Sequence, residues 1–313
     1  RIGADHDLSD RAAMLAKADL VTDMVGEFPE LQGTMGRYYA QHDGEAAAVA
    51  DAIAQHYWPR HAGDALPEGA VAQAVALADK LEALAGLFGI GAIPTGDKDP
   101  FGLRRAAIGV LRILIEKRLP LPLRWLTGLA FQAFNRVAGH AAVPEDLADF
   151  LYERLRGHLR DLGYSANQVE AVLVQRPQRI DVVPDQLAAV KSFEALPEAD
   201  ALSAANKRIV NILKKSGGEA AAGVDVARLT DGAERDLWHS FEALAPEVDR
   251  HCASGDYTSA LRTLASAKPV VDRFFDDVMV MVDDAAVRAN RLALLSRVAS
   301  TMNRVADISK LAA

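Results

Sequence analysis

The chain of 313 residues contains one cysteine, Cys252, which excludes a disulfide framework and a four-cysteine zinc site. Aromatic residues make up only 6% of it. No apolar run reaches the roughly 18 residues that a membrane span needs, and the longest candidates carry charges. Alternating Val/Ile/Thr runs of the kind that mark strands are hard to find. No signal peptide is visible. The chain opens at Arg1 without Met and runs straight into a helical pattern, so it reads as a piece of a longer polypeptide. With a pI near 5.5 and no targeting segment, the expected location is cytoplasmic, with no membrane partner.

What is present is half apolar and one-quarter charged, the balance of a soluble globular protein rather than a disordered one. The formal net charge of -8 is unevenly spread. Residues 1–97 hold 6 Lys+Arg against 15 Asp+Glu, residues 98–180 hold 13 against 8, and residues 181–313 hold 16 against 20. An acidic total opposes non-specific nucleic-acid binding, which depends on Lys and Arg that displace counterions, but it leaves room for local basic strips. Three strips stand out, Lys98 to Arg118, Asn206 to Lys215 and Arg288 to Lys310, each with an excess of four positive charges. The competing account of each is a solvated helix face.

Ala, Leu, Arg and Glu dominate and predict helix nearly everywhere. Helices are expected over 9–27, 33–42, 45–57, 67–88, 100–117, 123–137 and 144–162, the last announced by Pro144-Glu145-Asp146. A second set is expected over 184–196, 199–215, 231–252, 257–267, 269–281 and 284–311. The two prolines between Arg176 and Pro184 predict a boundary, giving domains of 1–180 and 181–313. Ser216 to Gly223, with three glycines, is expected to be a flexible loop. No fixed-period repeat is present. The expected fold class is therefore all-α, with at least two bundles.

Gly86, Gly89, Gly91 and Gly96 fulfil neither a P-loop, which needs a following Gly-Lys-Ser/Thr, nor a dinucleotide fingerprint, which needs a preceding strand. They are expected to form a turn between helices. Cys252 beside His251 does not make a nucleophilic pair, because helix neighbours point about 100° apart, and no Gly-x-Ser-x-Gly elbow is present. The sharpest enzymatic reading is metal-dependent phosphohydrolysis of the HD type. It would use the pair His42-Asp43 with Asp79, and His6, His56 and His61 as further ligand candidates, because imidazole and carboxylate suit a metal that activates water. The alternative for His42 is a helix C-terminus, where its charge is favourable. In the last helix, Val287, Leu294, Leu295, Val298, Met302 and Val305 form a core face. Asn290, Arg297 and Arg304 recur every seven residues along its edge, a row of donors able to grip phosphates or base edges. Arg297 and Arg304 are expected to flank the apolar stripe on one side of the helix, the competing account being a surface ion pair such as Arg304 with Asp307. Arg291 falls inside the stripe, where it requires a partner, expected to be Asp283, Asp284 or Asp277.

Several blocks resemble the beta subunit of the bacterial heterotetrameric glycyl-tRNA synthetase. They are KADLVTDMVGEFPELQGTMGRYYAQHDGE (17–45), HYWPRHAGDALP (56–67), VALADKLEALAGLFGIG (75–91), PTGDKDPFGLRRAAIGVLRILIEK (94–117), AANKRIVNILKK (204–215), ALRTLASAKPVVDRFFDDVMVMVDD (260–284) and RANRLALLSRVASTMNRVADISKL (288–311). They span nearly the whole chain. The resemblance implies the C-terminal part of that subunit, with an HD-like helical domain followed by an all-helical anticodon-binding domain of the arginyl-tRNA synthetase type. It implies tRNA(Gly) and the alpha subunit of an alpha2beta2 complex as partners. It places glycine activation, with its ATP and Mg2+, in the alpha subunit, so no cofactor and no catalytic residue is expected in this chain. On this reading the HD-like region is a degenerate scaffold for the acceptor arm, with Lys98, Arg104, Arg105 and Arg112 as candidate phosphate contacts; the alternative is pairing with Asp97, Asp99 and Glu116. Asn206, Lys207, Arg208, Asn211, Asn290, Arg297 and Arg304 are the candidate tRNA contacts of the second domain.

Overall fold

Helix propensity meets a strong apolar period through most of this chain, and the computed structural model is correspondingly all-α. It describes residues 1–217, 223–230 and 232–312; most of the loop expected at 216–223 lies outside them. Two isolated β-bridges, Thr95 with Lys98 and Pro122 with Arg179, are the only sheet-like pairing among the described residues. Among those residues, no helix is long and apolar enough to cross a membrane.

The chain folds as two compact units, Arg1–His158 with Gln178–Asp181, and Leu159–Pro177 with Val182–Ala313. The first contains α1 (His6–Leu15), α2 (Asp23–Glu27), α3 (Thr34–His42), α4 (Ala47–Gln55), α5 (Ala70–Gly89), α6 (Leu103–Glu116), α7 (Leu123–Gln132) and most of α8 (Pro144–Asp161). The single helix expected over 9–27 is broken into α1, a short 3-10 turn at Ala18–Val21, and α2. Asp19 is the cause: its carboxylate turns inward and accepts from the backbone N–H groups of Gly33 (2.6 Å) and Gly36 (3.0 Å). Asp5 caps α1, accepting from the Leu8 N–H at 2.9 Å, so the helix begins at His6, before the expected start at residue 9.

The hub of this unit is α5, which packs against α1, α4, α6 and α7. Alanines at 12, 16, 40, 50, 52 and 72 line the contacts around α4 and let the helices approach closely. The turn expected at Gly86 and Gly89 does not form there: Gly86 lies within α5 and Gly89 is its last residue. A Cβ on Gly89 would fall 1.9 Å from the His140 ring, which stacks on Phe134 at 4.5 Å and hydrogen-bonds the Ala85 carbonyl through Nε2 at 3.0 Å. Gly91 and Gly96 do turn the chain, both with positive φ.

Lys80 is the exception in this apolar hub. It sits on the inward stripe of α5 between Leu77, Leu81 and Leu84, only 6% exposed. Its stem crosses the bare Cα of Gly109, where a Cβ would lie 2.8 Å from Cε, and Nζ donates to the His56 carbonyl at 2.9 Å. Burial pushes its pKa down to about 8.

The second unit contains α9 (Ala166–Leu173), α10 (Val183–Glu194), α11 (Ala199–Lys215), α12 (Gly232–Ala253), α13 (Tyr257–Ala265), α14 (Lys268–Asp277) and α15 (Ala285–Met302). The helix α9 was not anticipated, although its Ser165–Gln168 capping box is visible in the sequence. The last helix ends at Met302 instead of running to 311. There, Asn303 exchanges amide hydrogen bonds with buried Asn206 (2.7 and 3.4 Å), and its carbonyl accepts from Gln175 Nε2 at 2.5 Å. Beyond it Val305 and Ile308 still reach the core, after the Asp307 N–H bonds the Ala171 carbonyl at 2.7 Å.

Arg291 finds a partner in a different helix from the acids beside it in sequence. Its Nε donates to Glu234, which is 1% exposed in the first turn of α12, and Nη1 donates to the Met279 carbonyl at 2.7 Å. The Asp283, Asp284 and Asp277 expectation is therefore corrected: Asp284 caps α15, and Asp277 pairs with Arg273. A buried ion pair tolerates the loss of both charges better than the loss of one.

Two expectations follow for stability. Arg291→Met removes the guanidinium from the buried Glu234 carboxylate and should cost about 3–5 kcal/mol in urea unfolding, while Arg291→Met/Glu234→Leu should recover most of that loss; equal losses in the single and double variants would contradict the arrangement. For Lys80 the folded pKa lies below the unfolded one, so between about pH 8 and 10.5 the unfolded chain holds more protons and stability rises with pH. The stability of the native chain relative to Lys80→Met should therefore increase by about 2 kcal/mol from pH 7 to pH 10. A pH-independent difference would place Lys80 in water.

Candidate nucleic-acid interface

The basic strip of the first unit begins in the loop before α6. Asp99 caps this helix, accepting from the N–H groups of Leu103 (2.8 Å) and Arg104 (2.9 Å). With Asp99 so occupied, the Arg104 guanidinium instead closes the loop by donating to the Gly96 carbonyl. Arg112 donates to Glu116 (2.7 Å) and to the Asp64 carbonyl (3.1 Å) and is largely buried, so it braces the fold rather than facing a ligand. Lys98 and Arg105 are different. Both are exposed and make no ion pair among the described residues, and Ile93 and Phe101 are exposed beside them in the chain. The strip thus offers two available cations interleaved with apolar side chains.

In the second unit the burial of two amides removes them from the candidate contacts. Asn206 is held by Asn303, and Asn290 exchanges two hydrogen bonds with the Asp225 backbone, at 2.7 and 3.0 Å. Each is buried, so neither presents its amide to a ligand. Arg297 and Arg304 point out, but each meets a carboxylate of α12: Arg297 Nη2 lies 3.1 Å from Glu242 and Arg304 Nε lies 2.6 Å from Asp249. Arg304 lies past the end of α15 and pairs with Asp249, not Asp307. Along with Arg291–Glu234, these contacts form three successive rungs from α12 to the parallel stretch made of α15 and the residues just past its end. The first rung, Arg291–Glu234, is buried and the other two are half-exposed, where such pairs contribute about 0–1 kcal/mol and can be exchanged for another anion. On α11, Lys207 approaches the Ala312 carbonyl at 3.4 Å. The Arg208 guanidinium lies over the Phe275 ring at 4.1 Å, and Asn211 is exposed one turn further on.

The HD-type ligand set does not assemble. His42 and Asp43 are exposed at the end of α3, Asp79 is neutralised by Lys17 at 2.6 Å, and the two acids line different clefts. Among the described residues no three His, Cys, Asp or Glu side chains form a metal-holding group. His6 and His61 are exposed, and His56 is buried, with Nδ1 on the Ile53 carbonyl at 2.8 Å and its pKa lowered by burial. The polar residues that do share an interior are Asp19, His56, Tyr57 and Lys80. Burial, with the carboxylates of Asp19 and Asp79 nearby, pushes the Tyr57 hydroxyl up to about 12. Sequence reading passed over Asp19 and Lys80. The signal for Lys80 was its position on the apolar stripe of α5, and for Asp19 a carboxylate inside the run Ala-Asp-Leu-Val. Burial also raises the pKa of the half-buried Cys252 thiol, so it is not an activated nucleophile.

A family model for the glycyl-tRNA synthetase beta subunit matches residues 2–174, and one for the DALR anticodon binding domain matches residues 202–311. Curated relatives named glycine–tRNA ligase beta subunit include that of Thiobacillus denitrificans, 60% identical over 306 residues that make up 97% of this chain and 43% of the relative. Those of Aromatoleum aromaticum and Ralstonia nicotianae are 59% and 58% identical, each over 100% of this chain and 45% of their own length. The chain thus spans less than half the length of these relatives. Two successive family matches and identity sustained from end to end bear out the resemblance read from the sequence blocks: the chain belongs to the glycyl-tRNA synthetase beta subunit family.

Proposed function

We propose that this chain is the tRNA-handling portion of a glycine–tRNA ligase, binding tRNA(Gly) through its anticodon and acceptor arm and presenting it to an alpha subunit within a cytoplasmic alpha2beta2 complex. The observation that carries this reading is the anticodon-binding-domain match over 202–311, following the beta-subunit match over 2–174. The distribution of available cations supports it. Lys98 and Arg105 present one uncommitted pair, Arg208 with Asn211 presents a second surface, and Arg297 and Arg304 hold exchangeable surface pairs. Phosphate contacts position a nucleic acid without reading it, which suits a subunit that delivers tRNA to chemistry performed elsewhere. On this reading glycine, ATP and Mg2+ are handled by the alpha subunit, and this chain holds the RNA.

Nuclease footprinting of glycine tRNA with the full chain should show protection at both the anticodon loop and the acceptor arm. Lys98→Ala/Arg105→Ala should weaken binding and reduce the slope of log affinity against log salt by about two charges. ATP–pyrophosphate exchange with glycine should stay at background for this chain alone. Absence of any glycine-tRNA protection, or robust exchange without an alpha subunit, would overturn the proposal.

A further inference from the structure

The segment that joins α14 to α15 displays apolar side chains that packing does not require. Val278 and Val280 point into the core, while Met279 and Met281 alternate with them outward at 73% and 51% exposure. That alternation is the period of extended backbone. The segment is held firmly: Arg291 donates to the Met279 carbonyl at 2.7 Å, and Arg288 to the carbonyls of Val282 (2.6 Å) and Asp283 (3.3 Å). The two methionines are therefore displayed on a braced edge. Facing them is a cleft of about 420 Å³ lined by Arg208, Ile212, Phe275, Asp276, Met279 and Met281.

One side of this cleft is flat. Phe275 is half-buried and packs edge-on at 5.5 Å against Phe274, which is fully buried beneath it. The Arg208 guanidinium lies across Phe275 and has no hydrogen-bond or ion-pair partner among the described residues. Arg208 as a whole is exposed. Asn211 and Lys215 share its side of α11 at i+3 and i+7, and the Asp276 carboxylate is exposed at the rim. A plane of cationic π character, polarisable thioethers on one flank, and donors and acceptors around the edge match an unstacked nucleobase. Unpaired RNA bases stack on aromatic rings and on guanidinium planes, and their edges are read by amides and carboxylates.

We propose that the outer face of Arg208, backed by Phe275 and flanked by Met279 and Met281, is a stacking site for one unpaired base of a bound RNA loop. The proposal rests on the tRNA-binding reading above. Within it, Arg208 acts as a plane rather than as a phosphate counter-charge, and the phosphates beside that base run along Lys215.

The test uses the full chain and a fluorescent RNA hairpin carrying the seven-nucleotide anticodon loop of glycine tRNA, with single abasic substitutions through the loop. Arg208→Lys keeps the charge and removes the plane, so hairpin affinity should fall about 5- to 150-fold with an unchanged salt slope. One abasic position should weaken binding to the native chain and make no difference to Arg208→Lys, the signature of a direct pair in a double-substitution cycle. Phe275→Leu and Met279→Ala/Met281→Ala, checked by thermal melting, should show the same lost discrimination. If the native chain binds hairpin and full-length tRNA while Arg208→Lys binds within twofold of it, the stacking site is wrong and tRNA binding stands. If the native chain binds neither RNA, both readings fall. If these substitutions weaken capture of an alpha subunit and leave the hairpin untouched, the face is a protein contact and the proposal is overturned.

Discussion

Taking Arg291 and Glu234 out of water together is the constraint around which the second unit is arranged. Each charge alone would be costly in that interior, and their pairing fixes the start of α12 against the first half of α15. Once that register is set, Arg297 and Arg304 arrive opposite Glu242 and Asp249. The same guanidinium also takes the Met279 carbonyl, so the segment between α14 and α15 is fixed by the buried pair as well. An interior electrostatic contact thereby determines which side chains the surface displays.

The helical class and most helix starts were legible because their causes are local. Pro144 with two acids begins α8 where the sequence placed it, and the Pro184 region begins α10. What sequence could not supply were contacts between distant residues. The apolar period of the last helix continues through Val305, so nothing local announces its end at Met302; Asn206, nearly a hundred residues away, terminates it. The break at Asp19 has the same origin, in two glycine N–H groups of another segment.

The candidate contacts divide along the same line. Counting charges along a strip treats Arg104, Arg105 and Arg112 alike, yet one closes a loop, one is available, and one is buried against Glu116. Asn206 and Asn290 lie on basic strips and are nevertheless interior pins. The juxtaposition of Arg208 with Phe275 joins residues 67 positions apart and leaves no periodic trace. Family resemblance identified the family, and the tertiary structure decided which of the candidate side chains stay exposed.

Lys80 and Gly109 illustrate how such a core constrains sequence change. The lysine stem occupies the space that any side chain at 109 would fill, with the nearest approach 2.8 Å from a Cβ placed there. The two positions are consequently a single unit of choice. An alanine at 109 forces the lysine stem aside or favours a shorter residue at 80, and either change draws the ammonium away from the His56 carbonyl that ends α4. An ordinary helix-favouring replacement on α6 thus carries an electrostatic price on a different helix, and drift at one site is admissible only in company with the other.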